Sequence, residues 1–249
     1  MKLTFLGTGT STGTPVIGCE CITCCSSNPK DKRLRSSVII EKENTQILID
    51  AGPDLRQQLL LKKIKRLDGI VLTHGHYDHL GGLDDVRPLG ASTVYGENNV
   101  LNTIKRTMPY CFDEEKYPGV PNIELVEIAE KPFQIGSIQI EPIRVMHGEL
   151  PILGFRFGKL AYLTDVKTIQ NSSIERLKGL EILVLNALRP MPHISHLSLS
   201  EAIALAQLIG AKKTYFTHFN HDIGLHNSTN STLPNGIEMA FDGLELNVE

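Results

Sequence analysis

No stretch of the 249-residue chain is apolar for long enough to cross a bilayer, and no tract is densely basic. Lys plus Arg number 25 against 28 Asp plus Glu, giving a net charge of −3, so no electrostatic feature points to a general nucleic-acid binder. The opening residues, MKLTFLGTGTSTG, hold one lysine and an apolar run broken by glycines, too short for the hydrophobic region of a secretion signal. Tandem repeats, low-complexity tracts and linkers are absent. The cysteines number five, and four crowd into residues 19–25, which excludes a disulfide framework spread across the chain. These features predict a soluble, cytoplasmic protein with a single domain over residues 1–249.

What is present is mostly short apolar strands punctuated by glycine. KLTFL (2–6), SVIIE (37–41), QILID (46–50) and GIVLT (69–73) read as strands, the second and third joined by a hairpin around Asn44. GPDLRQQLLLKKI (52–64) reads as a helix with proline in its first turn, and a second helical pattern runs over 97–106. Residues 108–121 show no period and are a candidate lid loop. From IELVEI (123–128) to LAYLTD (160–165), alternation predicts antiparallel strands. Capping boxes are expected at Ser172 with Glu175 and at Ser198 with Glu201, with Gly210 ending the second helix. The last residues, IEMAFDGLELNV, read as a hairpin.

The chemistry-bearing motif is HGHYDHLGG (74–82), directly after the buried strand GIVLT. His74, His76, Asp78 and His79 are four imidazole or carboxylate ligands within six residues, so one loop can address two neighbouring metals. A solvated histidine-rich loop is the plain alternative, but it explains neither the strand before the motif nor the close-packing Gly81-Gly82 pair after it.

His-x-His-x-Asp-His after a strand resembles the metallo-β-lactamase superfamily, and the resemblance extends from FLGTGTSTGTP to FDGLEL. It implies an α/β fold, a four-layer αβ/βα sandwich, with a dinuclear centre of zinc or manganese. Carried over residue by residue, His74, His76 and His147 would hold one metal and Asp78, His79 and His218 the other, with Asp165 bridging them. Asp78 also counts among the candidate catalytic groups. A hard bridging carboxylate, where some superfamily lactamases have cysteine, suits a hydroxide-activating centre for phosphodiesters. His196, ahead of a helix in His-x-Ser-Leu, resembles the proton donor of superfamily phosphodiesterases and tRNA 3′-processing nucleases; His193 is its rival.

GCECITCC (18–25) supplies Cys19, Cys21 and Cys24 as three possible corners of a tetrahedral zinc. With THFNHD (217–222) late in the chain, the motif resembles PhnP-type cyclic phosphodiesterases. That resemblance implies one structural zinc on Cys19, Cys21, Cys24 and His221. A redox pair at Cys21 and Cys24 would leave Cys19 surplus. The expected function is therefore metal-dependent hydrolysis of a small, cyclic or open, phosphodiester. A tRNA 3′-processing endonuclease, a thioester or lactone hydrolase, and a non-hydrolytic accessory protein of pyrroloquinoline-quinone synthesis are the alternatives. The expected partner is a small-molecule phosphodiester rather than a membrane or nucleic acid, and a homodimer is compatible with the chain. Arg189, His226 and Cys25 have no assigned role.

Overall fold

The computed structural model describes residues 1–115 and 117–248. The hairpin expected at Asn44 joins β2 (Ser37–Lys42) to β3 (Thr45–Ile49), with Glu43 at φ 53° in its turn, and β1 (Lys2–Gly7) pairs antiparallel with β2. β4 (Gly69–Val71), β5 (Ala91–Gly96) and β6 (Asn122–Glu127) then add in parallel. A second sheet begins with β7 (Phe133–Ile135), β8 (Ile138–His147), β9 (Leu150–Phe157) and β10 (Leu160–Leu163), antiparallel neighbours throughout. It continues in parallel through β11 (Ile182–Asn186), β12 (Lys213–Thr217) and β13 (Ile237–Met239). The final strand, β14 (Glu245–Asn247), returns to the first sheet beside β1. The orders are β14-β1-β2-β3-β4-β5-β6 and β7-β8-β9-β10-β11-β12-β13, so each sheet runs three antiparallel pairings and then three parallel ones.

Three apolar clusters give the layers. Between the sheets, Leu3, Phe5, Ile40 and Ile47 meet Ile140, Phe155, Tyr162 and Val184. Removing a ring from this layer, as in Phe155→Ala, should cost about 3–5 kcal/mol. The outer face of the first sheet packs under α1 (Leu55–Lys62) and α3 (Asn98–Thr107) through Leu55, Leu59, Val100 and Ile104. The outer face of the second packs under α4 (Asn171–Glu175) and α5 (Leu199–Ile209) through Ile174, Ala202 and Ala206. Helices outside two facing sheets make the αβ/βα sandwich. Among the described residues, no helix is long and apolar enough to cross a membrane.

Several local expectations differ from the structure. β6 runs parallel to β5, because α3 and the following loop carry the chain back before it enters the sheet. The last residues form no hairpin: β13 and β14 lie in different sheets. α4 begins at Asn171 with Gln170 at its N-cap, which puts Ser172 inside the first turn and away from a capping position. The capping box at Ser198 and Glu201 is present, and Gly210 ends α5 at φ 73°. The expected lid is anchored at its start: Met108 and Cys111 are buried in the outer core, and Tyr110 donates to Asp84.

Candidate metal centre

β4 leads through Leu72 and Thr73 to His74, and α2 (Tyr77–Leu80) begins immediately after His76 and carries Asp78 and His79. The loop is fixed by close backbone approach. A Cβ on Gly82 would lie 2.0 Å from the Gly52 carbonyl oxygen, and one on Gly52 2.1 Å from that of Asp78. His147 ends β8, Asp165 lies two residues beyond β10, His218 follows β12, and His196 precedes α5. Asp165 and His218 sit at φ 59° and 60°, the left-handed conformation, which turns each chain sharply at its strand end.

These strand ends converge. His74, His76 and His147 bring one ligand atom each within 4.8 Å of one another, and so do Asp78, His79 and His218, and His74, His79 and Asp165. The His74 Nε2 and His76 Nδ1 atoms are 3.0 Å apart. Asp165 stands at the centre, 3.4 Å from His79 Nε2, 3.2 Å from His218 Nε2 and 3.6 Å from His196 Nδ1. His147, Asp165 and His196 form a further group of this kind.

A shell of hydrogen bonds aims the rings. Asp50 accepts from Thr73 N at 2.9 Å and from His79 Nδ1 at 2.7 Å. His147 Nδ1 donates to the Ser195 carbonyl at 2.8 Å. Ser36 Oγ lies 3.2 Å from His218 Nδ1, and Thr164 donates to Asp165 at 2.6 Å. Each bond to a ring nitrogen leaves the other nitrogen of that ring directed inward, as a ligating histidine requires. His79 Nε2 and His196 Nδ1 are buried without a hydrogen-bond partner, an arrangement that costs free energy unless a cation or substrate meets them. The oxygen and nitrogen donors fit divalent zinc or manganese.

Burial disfavours charge on His74, His76, His79, His196 and His218. It holds His74 well below the ordinary histidine value, and burial together with His218 pushes His196 down to about 3. His79 goes the other way: against the burial cost, Asp165, Asp50 and Asp78 hold it well above that value. Burial likewise opposes charge on Asp165, but His218 and His79 draw its carboxyl well below the usual range. Metal-free, His79 is thus the one imidazole of the cluster whose charged form the neighbouring carboxylates of Asp165, Asp50 and Asp78 favour.

A second cluster lies beside the first. His221, three residues past His218, has its Nδ1 at 3.3 Å from Cys19 Sγ, 3.3 Å from Cys21 Sγ and 3.5 Å from Cys24 Sγ. The Cys24 amide points at Cys21 Sγ, 3.4 Å away, and the Val16 amide at Cys24 Sγ, 3.3 Å away; such donors stabilise thiolates. The Cys21 thiol is lowered to about 6 by the Cys24 amide and His221, while burial raises Cys24 to about 11. Three sulfurs around one imidazole nitrogen make a donor set suited to tetrahedral zinc. Cys25 is exposed and outside it.

Every site residue named from the sequence thus falls into one of these clusters. His193 stands beside His196, with ring centroids 5.1 Å apart. His226 does not join them: it is buried against Arg33, whose guanidinium lies 3.2 Å from its Nδ1. Sequence reasoning missed Asp50, Ser36, Thr10 and Thr164. Asp50 alone left a readable trace, since QILID ends on aspartate as LAYLTD does. The hydroxyls matter only through distant chain neighbours; Thr10 Oγ1, for example, is 3.1 Å from His218 Nε2.

Residues 45–219 match the family model described as the β-lactamase superfamily domain. The crystal structure of a diphosphatase from the PhnP family is 43% identical, with a TM-score of 0.93, over 98% of this chain and 96% of that one. A protein of Porphyromonas gingivalis named octanoyltransferase is 43% identical over 98% of this chain but only 51% of its own length. The zinc-bound PqqB structure from Methylobacterium extorquens shares the fold at 19% identity and a TM-score of 0.80 across the whole of both chains. The chain spans about half the length of the curated relatives it matches. With that match and this strand-end cluster, the chain belongs to the metallo-β-lactamase superfamily of metal-dependent hydrolases.

Proposed function

We propose that the chain is a metal-dependent phosphodiesterase acting on a small, cyclic or open, phosphodiester. The observation that carries this reading is Asp165, a hard carboxylate set between the two histidine groups with His196 against it. His74, His76 and His147 would hold one divalent ion, Asp78, His79 and His218 a second, and Asp165 would face both. Bound there, such ions supply Lewis acidity toward phosphoryl oxygens and acidify water at neutral pH. Cys19, Cys21, Cys24 and His221 would hold a structural zinc that ties the N-terminal loop to the segment carrying His218.

The chain's own residues set up the rest. Asp50 fixes the tautomer and ring plane of His79, and the Ser195 carbonyl does the same for His147. His196 is placed to hand a proton to the departing oxygen. Its buried imidazole is neutral in the metal-free protein, so the proton it would pass on must first be taken from solvent, an uptake that the negative charge of a bound phosphate favours. A substrate with a diphosphate linkage is a second reading, favoured by the similarity to the PhnP-family diphosphatase. The slightly negative net charge counts against pre-tRNA, and the complete donor set counts against a non-hydrolytic role.

The test is turnover by manganese- or zinc-loaded protein of bis(p-nitrophenyl) phosphate, 2′,3′-cyclic nucleotides, a ribose 1,2-cyclic phosphate, a dinucleoside diphosphate, pre-tRNA and an acyl thioester. Hydrolysis of a cyclic or open diester, with His196→Ala slower by about 10²–10⁴-fold at unchanged metal content, is expected. Activity confined to the thioester would sink the reading.

A further inference from the structure

The turn that ends α1 builds one wall of a groove. Lys63 sits just past the helix at φ 54°; its amide bonds to the Leu60 carbonyl at 3.1 Å, and the Ile64 amide bonds to the Leu59 carbonyl at 3.0 Å. This pair of bonds folds the chain back over the last helical turn and brings Ile64 to the side of Leu59. Opposite stands the 3₁₀ turn Leu83–Leu89, which contributes Pro88 and Leu89. Between the two walls lies a groove of about 580 Å³ with Leu59, Leu60, Ile64, Pro88 and Leu89 as its apolar lining. No residue of either metal-ligand cluster borders it.

Two features set this groove apart. The first is the outer face of α1: Leu55 and Leu59 are buried beneath the helix, but Leu60 and Leu61 are 60% and 68% exposed. Two adjacent outward leucines beside an aliphatic groove form a patch, where a surface helix ordinarily turns polar residues to water. The second is charge. From residue 55 to residue 67 the sequence holds five cations and no acid. A neighbouring cleft of about 500 Å³ shares Lys63, Ile64 and Lys65 but is otherwise lined mainly by polar and charged side chains, and its other cations are matched: Lys2 with Glu41, Lys62 with Glu245 and Arg66 with Asp68. On the apolar groove, Arg56, Lys63 and Lys65 enter no ion pair among the described residues, and Asp85 is the one acid in the lining against these three. An aliphatic floor with a positive rim matches a ligand that is apolar along its length and negative at one end.

We propose that this groove binds a linear aliphatic carboxylate, its chain along Leu59, Leu60, Ile64 and Leu89 and its head group among Arg56, Lys63 and Lys65. The volume falls within the roughly 300–1,000 Å³ of small-molecule sites. A concave surface suits a single chain better than a flat bilayer, and three cations gathered on a groove of this size suit one carboxylate. The site stands apart from the phosphodiesterase reading, since no candidate metal ligand takes part in it.

Isothermal titration of the metal-loaded protein with hexanoate, octanoate and decanoate, each below its micelle concentration, reads the site without turnover. Affinity should rise about two- to fourfold for each added methylene, and decanoate should bind about tenfold more tightly than decan-1-ol, in line with one charge-assisted contact. Leu60→Gln, at an exposed position, should flatten the dependence on chain length. Lys63→Gln combined with Lys65→Gln should remove most of the preference over the alcohol and keep that dependence. Leu208→Gln, at an exposed leucine of α5 outside the groove, should change neither. Thermal melts establish that each variant is folded. Equal affinities along the series overturn the site, and so does a series unchanged by Leu60→Gln, which would mean that the carboxylate is held elsewhere, at the metal centre included. Dimers in sedimentation, or protein carried down by phosphatidylglycerol vesicles, lost in Leu60→Gln and seen without any binding of decanoate, would give the groove to a second copy or a membrane and overturn the proposal as well.

Discussion

The fourth strand of each sheet's run of pairings, β3 in one and β10 in the other, leads into an aspartate in the left-handed conformation: Asp50 at φ 63° and Asp165 at φ 59°. Both carboxylates are buried, and both lie within reach of His79. Their surroundings differ. Asp50 accepts from the Thr73 amide, the Thr73 hydroxyl and His79 Nδ1, so its oxygens are fully engaged by the protein. Asp165 receives a bond only from Thr164 and otherwise faces ring nitrogens of His79, His218 and His196. The same residue at the same place in two sheets therefore orients a ligand in one and stands as a candidate ligand in the other. What separates them is the number of hydrogen bonds each has left to make.

The comparison breaks most visibly at Asp165. Asp165→Asn keeps the shape but removes the charge that balances the imidazoles, so active-site metal and turnover should both fall below detection while the cysteine cluster keeps its zinc. Metal analysis by mass spectrometry beside a diester assay reads this, and an Asn variant that retained both metals at full activity would remove Asp165 from the centre. Asp50→Asn should be milder, a loss of about 10–100-fold in activity or metal affinity, because it loosens a ring and deletes no ligand. Equal losses for the two variants would mean that the difference in hydrogen bonding carries no functional weight.

Cys21→Ser tests a region outside this pair. It should remove one zinc per chain and lower the melting temperature, with the active-site metals still bound and turnover reduced less than in Asp50→Asn. Zinc stoichiometry together with calorimetry distinguishes this outcome. A variant with unchanged zinc would dismiss the site built from three cysteines and His221.

The histidine loop was legible because its candidate ligands lie within six residues and follow a buried strand. The sheet strands were legible because apolar runs bounded by glycine have few other uses. Pairing direction was harder to read: β6 looks like an antiparallel strand from its alternation, and only the path of the chain through α3 makes it parallel. The C-terminal strands misled for a related reason, since two short apolar runs around a glycine read as a hairpin when each instead pairs with a distant partner. Asp50 was hidden because its role appears only when Thr73 and His79 come beside it. Arg33 was hidden because nothing local shows that residues 8, 226 and 240 will surround it.

That Arg33 network supplies a further, half-buried carboxylate, Asp242, which resembles Asp50 in being engaged, accepting from Leu34 N and Thr8 Oγ1, both at 2.7 Å. Burial nevertheless raises its pKa to about 6. Nearby His226 is shifted down to about 4 by burial, Arg33 and Lys30, with Asp31 opposing. The two signs are opposite. A raised carboxyl favours the folded state below its ordinary value of 3.8 and loses that contribution as pH rises through about 6. A depressed imidazole favours the folded state above its ordinary 6.5 and loses that contribution as pH falls toward 4. Between pH 7 and 5 the two effects oppose each other. His226→Gln, unable to titrate, should therefore gain stability relative to the wild type on going from pH 7 to 5, and Asp242→Asn should lose it. Each change is expected to be about 2–4 °C in Tm for a domain of this size. Thermal melts at both pH values read the difference, and curves for the two variants that run parallel to the wild type would show that neither group carries the shift.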